Sequence, residues 1–387
     1  MAKTRILLTG ANSLTGSHIL SQLLSQGLFS VRVVVDSRDA AHALQQQYPR
    51  TAPGSLDLAI VLARDASVPG IFEAALSDHS RPFELVIHAL AHRYCGEANC
   101  LAKAITLETE TVTGFLASVK RVGRAVRRVA IVTSLTHFAR WLASDGQASR
   151  SVPGHAMNSP GLVISDPENI LATSQASDNI VYEAVSRWAR EARVPFDIAY
   201  LVAPSIYGPT VRSLATSSDL SEANRRIWNI CCNEAPGNLG VPPHGILQFL
   251  DARVSRSYLC FDETDKWQDL AFASIRALFI PPNKSMDDQM NTRFFIAAGI
   301  MPTDCDIARL LVAHYPRLRG GVGMTGAPVQ QPQLDDPTLA FLDTFLTTRV
   351  LGISQYHSAE ATLAATAQQI VEFLDRKSWK HTIMRND

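Results

Sequence analysis

Residues 5–16 read RILLTGANSLTG and run into an apolar-periodic stretch over residues 17–24. A short aliphatic run, a glycine turn and then a helical pattern form a strand-turn-helix whose turn brings backbone N–H groups toward a phosphate. Gly10 permits the sharp turn without a Cβ clash, and Gly16 lets the helix pack closely on the first strand. Thr9, Gly10, Ser13, Leu14 and Gly16 are therefore the candidate nucleotide-cradle residues. The bland alternative is an ordinary strand-helix turn of another α/β protein.

The next strand signature, residues 31–36, ends in Asp36 about twenty residues beyond the turn, where a dinucleotide fold places the acid that accepts hydrogen bonds from the adenosine ribose. Such an acid repels a 2′-phosphate, so Asp36 favours NAD(H) over NADP(H). Arg38 keeps NADP(H) open, because an arginine just past the strand can pair with that phosphate. A helix cap is the alternative role for Asp36. Residues 56–62 read as a third strand, with Asp65 beyond it either at the adenine edge or as a solvated loop acid. Residues 84–91 read as a fourth strand running into small residues that include Ala89, a candidate cofactor contact. His88 and His92 flank that loop; without a third ligand type nearby they read as packing and surface residues. A helix over 102–122 and a strand over 130–134 continue the alternation, which implies a doubly wound parallel sheet of Rossmann type.

Residues 152–179 are rich in Pro, Ser, Gly and Asn and read as a loop, followed by a helix over 179–193 that carries Tyr182 and a strand over 196–201. Beyond it the alternation breaks. Helical patterns fall at 221–234, 267–278 and 306–315, a short strand at 293–297, an exposed excursion at 320–337, and helices at 338–346 and 359–374. The expected division is a dinucleotide-binding domain over residues 1–205 and a substrate-binding lobe over 206–387, parts of which return to the first domain.

Lys plus Arg and Asp plus Glu both number 36, so no net field draws the chain to nucleic acid or to an anionic membrane. Six cysteines without a C-x-x-C pair read as reduced and mostly buried. The absence of a signal-like start and of a long apolar run points to the cytoplasm, with a small molecule as partner. A homodimer is one open possibility for the assembly, and no metal site is expected.

These landmarks, in this order, resemble the extended short-chain dehydrogenases/reductases, of the NAD-dependent epimerase/dehydratase superfamily, and within them the dihydroflavonol-reductase-like ketone and aldehyde reductases. The resemblance rests on Thr9 to Gly16, on the stretches 86–89, 132–134 and 204–209, on 293–298 with 306–308 and 315–316, and on 350–356 with 360–363, which is similar to that family's final strand and helix. It implies a Ser/Thr, a Tyr and a Lys four residues after it, the tyrosine exchanging a proton at the substrate oxygen while nicotinamide exchanges hydride.

The chain departs from this pattern. Ser13 replaces the middle glycine of the turn, which implies weaker cofactor binding. Leu135 stands at the serine position, leaving Ser134 or Thr136 to supply a hydroxyl. Tyr182 is followed at the lysine position by Ser186, and Arg187 faces elsewhere on the helix. A second branch, the progesterone 5β-reductase/iridoid synthase group, is similar over residues 133–138, with Thr136 in place of its lysine, and there too Tyr182 is the tyrosine; His137 is then the nearest cationic neighbour. The resemblance implies a reductase of a carbonyl or enone with Tyr182 as proton donor, since a phenol with no cation beside it stays protonated at pH 7. A non-redox isomerase, dehydratase or cyclase, and a dinucleotide-binding protein without turnover, are the alternatives.

Overall fold

The computed structural model describes residues 3–49, 51–62, 68–89, 101–135, 170–232, 248–253, 269–280, 291–302, 304–316 and 344–383. Continuous apolar runs become strands buried on both faces: β1 (Thr4–Thr9), β2 (Phe29–Val35), β4 (Leu85–His88), β5 (Arg128–Ser134) and β6 (Asp197–Ala203). With β3 (Leu56–Ile60) and β9 (Asn291–Phe295) they form a seven-stranded parallel sheet of order β3-β2-β1-β4-β5-β6-β9. Alternation along β1 sends Ile6 and Leu8 to one face and Leu7 to the other.

On the Ile6 face lie α1 (Leu14–Ser25), α2 (Arg38–Gln47) and α7 (Leu270–Ala277). On the Leu7 face lie α3 (Glu73–Leu76), α4 (Leu101–Val122) and α5 (Ile170–Glu191). The chain winds from β1 out to β3 and restarts beside β1 with β4, so strand order reverses between β1 and β4, the place where such sheets bind ligands.

A smaller body holds a three-stranded sheet, β10 (Gly299–Ile300), β8 (Gln248–Asp251) and β7 (Ser205–Tyr207), with a core of its own between α6 (Glu222–Cys232), α8 (Asp304–His314) and α9 (Ala359–Ile383). Through α7 and β9 the later chain returns to the large sheet. Two readings of the sequence are corrected. The helix expected from 179 begins at Ile170, inside the stretch read as loop. The strand expected over 350–356 is absent: residues Thr347–Leu351 make a π-helical turn that ends on left-handed Gly352 (φ 69°), and 353–358 are irregular. Most of the excursion and helix expected over 320–346 lies outside the described residues. Among those described, no helix is long and apolar enough to cross a membrane, and Cys231 is a buried free thiol.

Candidate active site

Gly10 adopts φ 70°, a left-handed turn that glycine enters without strain. Ser13 stands in a conformation that does not require glycine. Its backbone is extended (φ −80°), and its hydroxyl donates to the Gly10 carbonyl (2.7 Å) while accepting the Gly16 N–H (3.0 Å). The residue is an N-cap for α1, satisfying one of the helix's orphan donors. The first-turn amides of Leu14 and Thr15 then remain, pointing along the positive end of the helix dipole. A Cβ on Gly16 would lie 2.1 Å from the Gly10 carbonyl oxygen, so only glycine allows the helix this close to the turn.

Asp36 follows β2 and accepts a hydrogen bond from the Asn12 side-chain amide (2.9 Å), which ties the acid to the glycine turn. The neighbouring Ser37, not Asp36, caps α2, through its hydroxyl on the Ala40 N–H (3.1 Å). Asp36 is half-buried and Arg38 is exposed on the first turn of α2. A cavity of about 340 Å³ opens between the glycine turn, Asp36, α2 and residues 210–219 of the smaller body; Ser13, Leu14 and Asp36 line it and Arg38 does not.

Beneath the turn, buried Thr9 joins the ends of β1 and β4. Its Oγ1 lies 3.0 Å from His88 Nδ1 and accepts the Ala89 N–H (3.2 Å). His88 stacks on Phe115 with ring centroids 4.0 Å apart, as a packing residue does. At the end of β5, Ser134 donates to the Pro204 carbonyl (2.7 Å), and Leu135 is fully buried. Asp65, His92, Thr136 and His137 lie outside the described residues.

Tyr182, on α5, packs against an aromatic ring and a guanidinium. Its ring meets Tyr200 edge-on, with centroids 5.5 Å apart, and the Arg293 guanidinium sits 5.0 Å above its face. Tyr200 is paired in register with Arg293 and stands three residues before the β6 end at Ala203, about 10 Å below the rim. Arg293 thus stands on the aromatic face of Tyr182, a cation–π contact. Arg293 also bonds Asp178 and Asn179, one turn earlier on α5. Burial pushes the Asp178 carboxyl up to about 6, against the lowering effect of Arg293, and the nearby Glu108 raises it further. Ser186 is buried and Arg187 exposed, so Arg187 faces elsewhere.

Neither this buried cluster nor a second one was found in the sequence, because each draws residues from distant segments. In the second, Asp251, Asp269 and His357 bring their ligand atoms within 4.8 Å of one another. Protein groups already engage them: Arg253 (2.7 Å) and the Thr362 hydroxyl (2.7 Å) bond Asp251, and His357 bonds Asp269. Burial pushes the Asp269 carboxyl up to about 6, opposed by that hydrogen bond.

No family model matches the chain. It is 23% identical over 377 residues to an uncharacterised oxidoreductase of Schizosaccharomyces pombe, covering 96% of this chain and 98% of that one. It is likewise 23% identical over 334 residues to the ketoreductase azaE of Aspergillus niger, covering 85% and 88%. Among solved structures, Gre2 of Candida albicans in complex with NADPH superposes with a TM-score of 0.65 at 18% identity, covering 95% and 99%. The UDP-glucuronic acid 4-epimerase of Bacillus cereus in complex with NAD gives 0.54 at 15% identity, covering 96% and 99%. The fold is the Rossmann-type α/β architecture that these solved structures share.

Proposed function

We propose that the protein is a nicotinamide-dinucleotide-dependent oxidoreductase that reduces a carbonyl, or a conjugated enone, of a mid-sized organic molecule. The observation that carries this is the cradle at the β1/β4 switch point, where left-handed Gly10, close-packed Gly16 and Asp36 held by Asn12 stand together. Relatives named oxidoreductase and ketoreductase, aligned over most of their length, support it.

In this reading the dinucleotide, when bound, supplies the hydride. The α1 N-terminus, through Leu14 and Thr15, holds the pyrophosphate, and Asp36 accepts from the adenosine ribose, which favours NADH over NADPH. Thr9 and Ala89 fix the floor beneath it. The substrate oxygen takes a proton at the rim beside Ser134 and Pro204. Because the Tyr182 ring packs on Tyr200, three residues before the end of β6, this reading takes the proton from another group or from water. The smaller body, from residue 206 on, supplies the substrate walls, and the enzyme acts in the cytoplasm, with a homodimer as its assembly.

The placement of Tyr182, with Leu135 at the family's serine position, favours a second reading: a non-redox enzyme on the same fold, or a dinucleotide-binding protein without turnover. Incubating the protein with NADH and a panel of ketones, aldehydes and enones separates them. Consumption of NADH matched by alcohol or saturated product supports the proposal; product without NADH consumption, or binding without product, supports the second reading.

A further inference from the structure

The cavity that begins at the glycine turn is closed on its far side by residues 210–215, which belong to the smaller body. That segment is held firmly. Gln369 of α9 accepts from the Thr210 N–H (2.8 Å) and hydroxyl (3.0 Å), and its amide donates to the carbonyls of Thr210 and Arg212 (2.9 Å each). Arg376 donates to the Leu214 carbonyl (3.1 Å), and Asp219 accepts from the Ala215 and Thr216 N–H groups (2.8 Å each). Every one of these bonds fixes backbone or a short side chain and leaves the Arg212 guanidinium untouched. That side chain is exposed, has no hydrogen-bond or ion-pair partner among the described residues, and lines the cavity; its charge acts on Tyr48 at the end of α2.

Among the described residues, three charged ones line the cavity: Asp36, Asp219 and Arg212. Asp219 is engaged in its own capping box. Asp36 repels a phosphate on the adenosine 2′ position, and Arg38, the residue the sequence offers to offset it, does not line the cavity. We propose that Arg212, reaching across from the smaller body, is the specificity-determining residue that admits the 2′-phosphate of NADPH. A guanidinium suits this role because its planar fork pairs with two phosphate oxygens at once. The proposal rests on the dinucleotide-binding reading above. It makes cofactor choice a contest between Asp36 on one body and Arg212 on the other.

The test is calorimetric titration of the wild type, Arg212→Ala and Arg38→Ala with NADH, NADPH, adenosine 2′,5′-bisphosphate, 5′-ADP and inorganic phosphate. Truncation of an exposed side chain leaves the Gln369 bonds to the backbone in place, and a thermal melt checks that the variants fold. The expected result for Arg212→Ala is a loss of roughly tenfold or more for NADPH and the 2′,5′-bisphosphate, with NADH and 5′-ADP changed less than about twofold. Equal losses for all nucleotides, or a selective NADPH loss in Arg38→Ala and none in Arg212→Ala, overturn the assignment. So does inorganic phosphate binding that matches the bisphosphate, since the site would then read a bare anion. Failure of the wild type to bind either dinucleotide instead overturns the reading on which the proposal rests.

Discussion

A methyl group on Gly16 would lie 2.1 Å from the Gly10 carbonyl oxygen and 2.9 Å from the Ala11 Cα, so Gly16→Ala must push α1 away from the turn it serves. Forced overpacking costs about 1–3 kcal/mol, and here the atoms that must yield are backbone. The variant should unfold at lower urea concentration than wild type and give no measurable dinucleotide binding in calorimetry; normal binding would detach the turn from the cofactor. Ser13 shows why a sequence motif read by residue type misjudges a turn. A missing glycine strains the backbone only where φ is positive; here the backbone is extended, and the serine caps the helix. Under the proposed reading Tyr182 packs rather than reacts. Phenylalanine keeps the ring between Arg293 and Tyr200, so Tyr182→Phe should retain turnover within about threefold in steady-state kinetics. A loss of 10²–10⁴, roughly that of a removed general acid, would return the tyrosine to the chemistry.

At the scale of elements, the strands were legible because a parallel sheet covered on both faces demands continuous apolar runs, and β1, β2, β4, β5 and β6 have them. The first turns of α5 were not. Ser174, Ser177 and Asp178 are buried there, so the inward face is polar and shows no apolar period. Its partner, Arg293, comes from β9, more than a hundred residues later. This buried pair has a consequence for pH. Burial raises the Asp178 carboxyl to about 6 in the folded protein, above its ordinary value of about 3.9. Between those values the native state holds the extra proton, so the stability linked to this group is greatest below about pH 4 and falls as pH rises to about 6, on the order of 2–3 kcal/mol. Asp269, also raised to about 6 by burial, adds slope of the same sign. Urea unfolding of Asp178→Asn at several pH values between 4 and 7 should show a shallower fall than wild type. An unchanged slope would remove Asp178 from the titration.

The whole molecule reverses strand order between β1 and β4 and sets residues 210–215 of the smaller body across a cavity from the glycine turn and Asp36. The first half of that site was readable, because Gly10, Gly16 and Asp36 lie within one strand-helix-strand unit at fixed spacing. The second half was not, since Arg212 reaches the cavity only through a loop pinned by Gln369, 159 residues beyond Thr210. Nor does spacing along α5 reveal that Tyr182 packs on Tyr200, which is paired in register with Arg293. The central claim is hydride transfer from a dinucleotide bound in this crevice to a carbonyl or enone carbon. The most direct test uses reduced nicotinamide dinucleotide carrying deuterium at the transferable C4 position, with mass analysis of the product formed from an accepted substrate. The account predicts one deuterium on the new carbinol carbon, or on the β carbon of a reduced enone, for each cofactor oxidised. Product free of deuterium, or conversion with the cofactor left reduced, would contradict it.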